Sequence, residues 1–274
     1  MAILLILKIS VAALIFAVGV GATHEDLLYL WRRPAQLMRA LLAMYVVVPL
    51  GALLMVSLLP LTLPVETAIV VLAISAGAPL LPRKVMKLGR AHYVLSLVVT
   101  TSLLAIIVVP AWLMVIGPWL GIEKVVEPRV VALSIGKGFL LPLIAGMLVR
   151  PLLRGAADRV SEVMLAVAGI ALALATVVRL WLNPQLVLQM GWVALLALTG
   201  LSLLSLAVGY LLGGPDPLDR TALAVSCTTR NVGVAILASS VTPGPQTVTM
   251  VLTYLVAASV VSLLYLRLRR PAPG

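Results

Sequence analysis

The sequence predicts an all-α integral membrane protein, on three observations. Of its 274 residues, 62% are hydrophobic and 11% charged, and the mean hydropathy is +1.19, outside the range of soluble domains. The apolar residues fall in runs near the ~20 residues that cross a bilayer. No polar stretch is long enough to fold outside the membrane, so residues 1–274 read as one integral membrane domain.

The runs give about nine spans, at roughly 3–22, 36–59, 65–89, 91–117, 130–149, 159–182, 189–212, 218–241 and 246–266. Between the first two lie Arg32 and Arg33, with Arg39 just beyond. Lys87 and Arg90 follow the third span; Arg150, Arg154 and Arg159 follow the fifth. Arg220 opens the eighth, and Arg267, Arg269 and Arg270 close the ninth. All of these share one side. The loops of the other side hold only Lys124 and Arg129, beside Glu123 and Glu127. Positive residues gather inside, which orients the chain with its N-terminus outside and its C-terminus cytoplasmic. The net charge of +11 is therefore a matter of membrane topology and not of a nucleic-acid partner. The lipid bilayer is the partner expected, in a plasma membrane of the bacterial inner-membrane type. The first span is read as structural. Its apolar stretch is longer than that of a signal peptide, no basic segment precedes it, and Gly-Ala-Thr-His is a poor cleavage site.

Two spans carry charge where a bilayer tolerates none. Arg83 and Lys84 interrupt the third, in ISAGAPLLPRKVMKLG, and Arg230 with Asn231 interrupts the eighth, in VSCTTRNVGVAILASS. A cation in hydrocarbon costs about 2.5–3.5 kcal/mol on insertion scales and persists where it is partnered, hydrated or functional. Pro79 and Pro82 remove backbone donors and are expected to open the third span around 78–82; Cys227–Thr229 is the corresponding opening in the eighth. One break reads Pro-Arg-Lys-Val, the other Thr-Arg-Asn-Val, and the two spans enter from opposite sides. Broken helices in opposed halves mark the midplane site of an inverted-repeat secondary transporter. Residues 1–117 would form the first repeat, lacking its first helix, and 118–274 the second.

At these residues the chain resembles the bile acid:sodium symporter family, within the superfamily that also holds arsenite and auxin exporters. EDLLYLWRRPAQL, Val48-Pro49-Leu50, LSLVVTTSLLAIIVVP, LLPLIAGMLVRP and TRNVGVAIL carry the likeness, in order, from Gly19 to Pro271. The resemblance implies a panel domain rocking against a core domain whose two discontinuous helices cross beside the substrate and sodium sites. It also shows a departure. The family's first broken helix typically carries Gly-Gly-Thr-x-Ser-Asn; aligned on Val85-Met86, this chain has Leu80, Leu81, Pro82, Arg83 and Lys84. In the second, the family's Glu falls on Ser226 and its Gln on Arg230, while Asn231 is kept. The hydroxyl pair of the following helix survives as Ser96 and Thr100.

No Asp or Glu lies at mid-depth in any span. Repulsion of about 4 kcal/mol per charge pair at ~4 Å, at an effective dielectric near 20, would exclude Na⁺ beside these cations. The expectation is a transporter of a small organic anion that has lost sodium coupling. Its candidate substrate-binding residues are Arg230, Asn231, Thr228, Thr229, Lys84, Arg83, Ser96, Thr100, Ser226 and Lys137. The alternative is a degenerate, non-transporting member acting as sensor or structural partner. Several residues keep two readings at this point. Lys84 and Arg83 either line the site or snorkel; Lys137 faces the cavity or the outer surface; Ser96 and Thr100 are ligands or packing contacts. Asn231, Thr228 and Thr229 bind substrate or bond freed backbone. Cys227 is the single cysteine, which excludes an internal disulfide and a multi-thiolate metal site. No metal or cofactor is expected. With no paired acids, metal-ligand motif or nucleotide-binding loop, neither is an enzyme.

Overall fold

A computed structural model describes residues 2–76, 91–120, 128–153, 155–231, 235 and 245–269. Among these, every regular element is helical. In chain order, α1 is Ala2–Gly21 and α2 is the short His24–Tyr29. Next, α3 runs from Pro34 to Leu58, with a π-helical turn at Ala43–Val47. Then come α4 Leu63–Ile74, α5 Ala91–Ile116, α6 Pro128–Val149, α7 Ala157–Leu182, α8 Pro184–Gln189, α9 Gly191–Leu212, α10 Pro217–Thr228 and α11 Pro245–Leu268.

Six of these, α3, α5, α6, α7, α9 and α11, contain segments long and apolar enough to cross a membrane; α1 and α4 are shorter apolar helices. The protein is an integral membrane protein. Its exposed surface carries the chemistry that lipid requires. Leu5, Ile107, Leu148, Val167, Ile170, Leu174, Leu196 and Val260 all lie exposed on helices, where water would disfavour them.

Two packing groups hold the bundle. Helix α1 packs along α6 and α7, while α10 packs along α9, and α11 contacts both α9 and α4. The α1–α6 contact depends on two glycines. A Cβ on Gly19 would lie 2.2 Å from the Leu143 carbonyl oxygen, and one on Gly146 would lie 2.2 Å from that of Phe16. Backbone meets backbone there, the close approach that small residues permit between membrane helices. Ser161 of α7 ties the same region, donating to Ala17 O at 2.7 Å.

The ends that carry the basic loops come together. Arg150 donates to Val20 O at 2.7 Å, Gln36 to Asp219 Oδ2 at 2.7 Å, and Arg220 to Gly214 O at 2.5 Å. The Arg269 guanidinium lies 4.3 Å from the centre of the Tyr210 ring. At this same end, Thr23 and Asp26 form a reciprocal capping box at the start of α2.

Candidate functional site

One proline shapes the polar interior from within α3. A proline has no N–H to give the carbonyl four residues earlier, and its ring crowds that carbonyl. Pro49 withholds a donor from Tyr45 O, and the helix responds with the π turn. There the Val48 N–H bonds Ala43 O, five residues back. The Tyr45 and Met44 carbonyls thus face other helices. Tyr45 O accepts from Trp112 Nε1 at 3.0 Å, and Met44 O accepts from Arg230 Nη1 at 3.2 Å. Single π turns of this kind gather at functional sites. The Tyr45 hydroxyl in turn donates to Thr101 O of α5.

The opening expected around 78–82 lies outside the described residues. Helix α4 ends at Ile74 with Ser75 as its cap. Ser75 O accepts from the Asn231 N–H at 3.0 Å, so the C-terminal ends of α4 and α10 meet. Residues 77–90 lie outside the described residues, and with them Arg83 and Lys84.

The two ends have the same construction. Helices α4 and α10 are each 12 residues long, with proline in the first turn. Ser75 caps α4 at φ −82°, ψ 72°, and Thr229 caps α10 at φ −85°, ψ 87°. Each is the centre of an inverse γ-turn: Ala76 N–H donates to Ile74 O at 3.0 Å and Arg230 N–H to Thr228 O at 3.1 Å. Each cap hydroxyl also bonds back four residues, Ser75 to Val71 O at 2.7 Å and Thr229 to Val225 O at 2.8 Å. Such back-bonding competes with helix propagation. The caps at Ser75 and Thr229 thus share one geometry. Residues 82–85, which the sequence paired with 229–232, lie outside the described residues.

Thr228, Thr229, Arg230, Asn231 and Ser226, at and beside the end of α10, are all buried. Thr228 donates to Ala224 O at 2.8 Å, and its own carbonyl accepts from Tyr254 Oη at 2.7 Å. The Tyr254 hydroxyl lies among Ser202, Ser205 and Arg230. Arg230 itself is 1% exposed. Beyond the single bond to Met44, its Nε and Nη2 have no hydrogen-bond partner among the described residues. Those two nitrogens form one edge of the guanidinium, the fork that takes a carboxylate through parallel bonds.

Other candidates separate from this group. The Ser96 hydroxyl accepts from Leu30 N–H at 3.1 Å and so ties α5 to the end of α2. Thr100 lies one turn along the same helix, buried. Lys137 is exposed on α6 and does not join the buried cluster. Met44, Tyr45 and Tyr254 are residues that the sequence did not single out. Pro49 was the available signal for the first two; nothing local marks Tyr254.

A helical membrane bundle in which the ends of two helices meet beside a buried cation fits a membrane transport protein. The chain belongs to the Sodium Bile acid symporter family, whose sequence profile matches residues 8–190. The match ends before α10, so the Arg230 segment lies beyond it. A protein of Bacillus subtilis (strain 168) named "Uncharacterized sodium-dependent transporter YocS" is similar, 29% identical over 213 residues. That stretch is 76% of this chain and 63% of the relative. The chain thus spans less than two thirds of that protein's length.

Proposed function

We propose that the protein is a secondary transporter of a small organic anion, bound at Arg230 and not coupled to sodium. The carrying observation is the guanidinium of Arg230, buried to 1% exposure with Nε and Nη2 unpaired among the described residues. A buried ion without a partner carries a penalty of several kcal/mol, and a bound carboxylate removes it. Among the described residues no carboxylate forms an ion pair with it. The segments 77–90 and 232–244 contain no Asp or Glu. The buried carboxylates among the described residues, Asp26 and Asp219, are engaged by Thr23 and His92, and by Gln36.

In this reading about nine spans cross the bacterial plasma membrane, N-terminus outside and C-terminus cytoplasmic. The repeats 1–117 and 118–274 run in opposite directions, which the matched γ-turns at Ser75 and Thr229 support. Core and panel domains then move against each other around the junction. In this reading Arg83 and Lys84, eight and nine residues beyond Ser75 in the sequence, also serve the anion. Asn231, Thr228 and Thr229 serve the junction through backbone bonds, and Ser226 and Thr100 contribute buried hydroxyls. The relative's name speaks of sodium dependence. Here Arg230 occupies carbonyl oxygen that a bound cation would otherwise need, and its charge repels one.

The test is thermal stabilisation of the purified full chain by a panel of organic acids, in Na⁺ and in choline at equal ionic strength. Small carboxylates are expected to raise the melting temperature equally in both media. A saturable Na⁺ requirement would refute the uncoupled mechanism. No response to any anion, in a chain that melts cooperatively, would favour the non-transporting alternative.

A further inference from the structure

A second polar feature lies away from the helix junction, at the end where the basic loops gather. Glu25, Tyr29, Arg32, Arg33 and His92 line a pocket of about 220 Å³. It sits between α2 and the first turn of α5, which pack together. We propose that this pocket binds the phosphate of an anionic phospholipid headgroup.

The walls are ordered by their own contacts. Arg33 donates from Nη1 to the Tyr29 hydroxyl at 2.5 Å, and its guanidinium lies 4.3 Å from the centre of the Tyr29 ring. A guanidinium has five N–H donors, so the tyrosine fixes the plane and leaves most of them for a ligand. On the far wall, His92 Nδ1 lies 2.5 Å from Asp26 Oδ1. Asp26 is 2% exposed and also accepts from Thr23 N at 2.7 Å and Thr23 Oγ1 at 2.6 Å. The carboxylate is an acceptor only, so the proton of that bond sits on Nδ1, and Nε2 is the free ring nitrogen. The His92 side chain is 64% exposed, which leaves Nε2 accessible. Two arginines therefore face one unengaged carboxylate, Glu25. The excess positive charge matches a singly charged phosphodiester.

Lipid, and not a soluble phosphate, follows from the exposed apolar side chains that neighbour these arginines along the chain. Leu28 and Trp31, on and just after α2, are 47% and 58% exposed, and Met38 on the first turns of α3 is 65% exposed. Apolar side chains beside arginines on a short helix between two spans place acyl chain and headgroup together. Trp is the residue that favours this boundary. Arginines near an anionic membrane surface contribute about 1 kcal/mol each. A lipid held here would join α2 to the start of α5, the helix that follows the first broken one.

The experiment compares phosphatidylglycerol, phosphatidylcholine and inorganic phosphate as ligands of the detergent-purified full chain, by native mass spectrometry and thermal shift. Phosphatidylglycerol is expected to bind and stabilise, with the other two far weaker. Arg32→Gln with Arg33→Gln should reduce its affinity about thirtyfold, from the ordinary contribution of two surface arginines. Arg267→Gln, an exposed arginine outside the pocket, should leave it unchanged. If the double variant does not fold, Arg32→Gln alone, at an exposed side chain, should lose about fivefold. Parental affinity in the arginine variants, or equal binding of phosphatidylcholine, would overturn the proposal. Stabilisation by inorganic phosphate as strong as by the lipid would overturn the lipid assignment. The outcome is independent of Arg230, so it does not decide the transport reading.

Discussion

Replacing Arg230 with Gln separates the two roles that a buried arginine can have. In the free protein the guanidinium makes one hydrogen bond, to Met44 O, and two of its nitrogens make none among the described residues. Losing that bond removes roughly 1.5–3 kcal/mol; losing the desolvated charge returns several kcal/mol. The free variant should therefore melt at or slightly above the parental temperature. With a carboxylate bound, the variant lacks both fork bonds. The loss is about 3 kcal/mol, within the range of roughly 2–5 for truncating one partner of a buried pair. That is about 150-fold in Kd. The assay is a thermal-shift titration with the best-bound acid of the panel. At ~100 times the parental Kd the ligand stabilises the parent by about 2.7 kcal/mol and the variant by only about 0.3. Arg267→Gln, at an exposed end of α11, is the control. Parental anion affinity combined with a lower melting temperature would refute the reasoning. Arg230 would then be a strut for the Met44 carbonyl.

Other outcomes follow from the packing. Asp26→Asn weakens bonds to Thr23 and His92 at a 2% exposed site. It should lower stability by about 1.5–3 kcal/mol in detergent melts; an unchanged melting temperature would show the cap to be dispensable. Gly146→Val places side chain where Phe16 O lies 2.2 Å from the Cβ position. It should destabilise by about 1–3 kcal/mol or prevent folding. Gly169→Ala on α7 meets nothing within 4 Å and should be neutral or stabilising by about 0.5–1 kcal/mol. Equal melting of the two glycine variants would contradict the α1–α6 contact.

Composition alone determined the class of this protein. A chain with 62% hydrophobic residues and these run lengths must shield its backbone in helices, since lipid offers no hydrogen bonds. The helix limits at Gly21, Leu182, Leu212 and Leu268 follow from the charges and Pro/Gly beside them, which are local. Family membership was legible in the same way, from ordered motifs. Only tertiary structure decided where the freed carbonyls turn. Ser75 O reaches Asn231, and Met44 O reaches Arg230, across 186 positions of sequence. It tied Ser96 to Leu30 and left Lys137 exposed, where the sequence had kept two readings for each. Local sequence sets which backbone groups lose their partners. The partners they find depend on which helices lie alongside, and side-chain packing across the whole bundle fixes that.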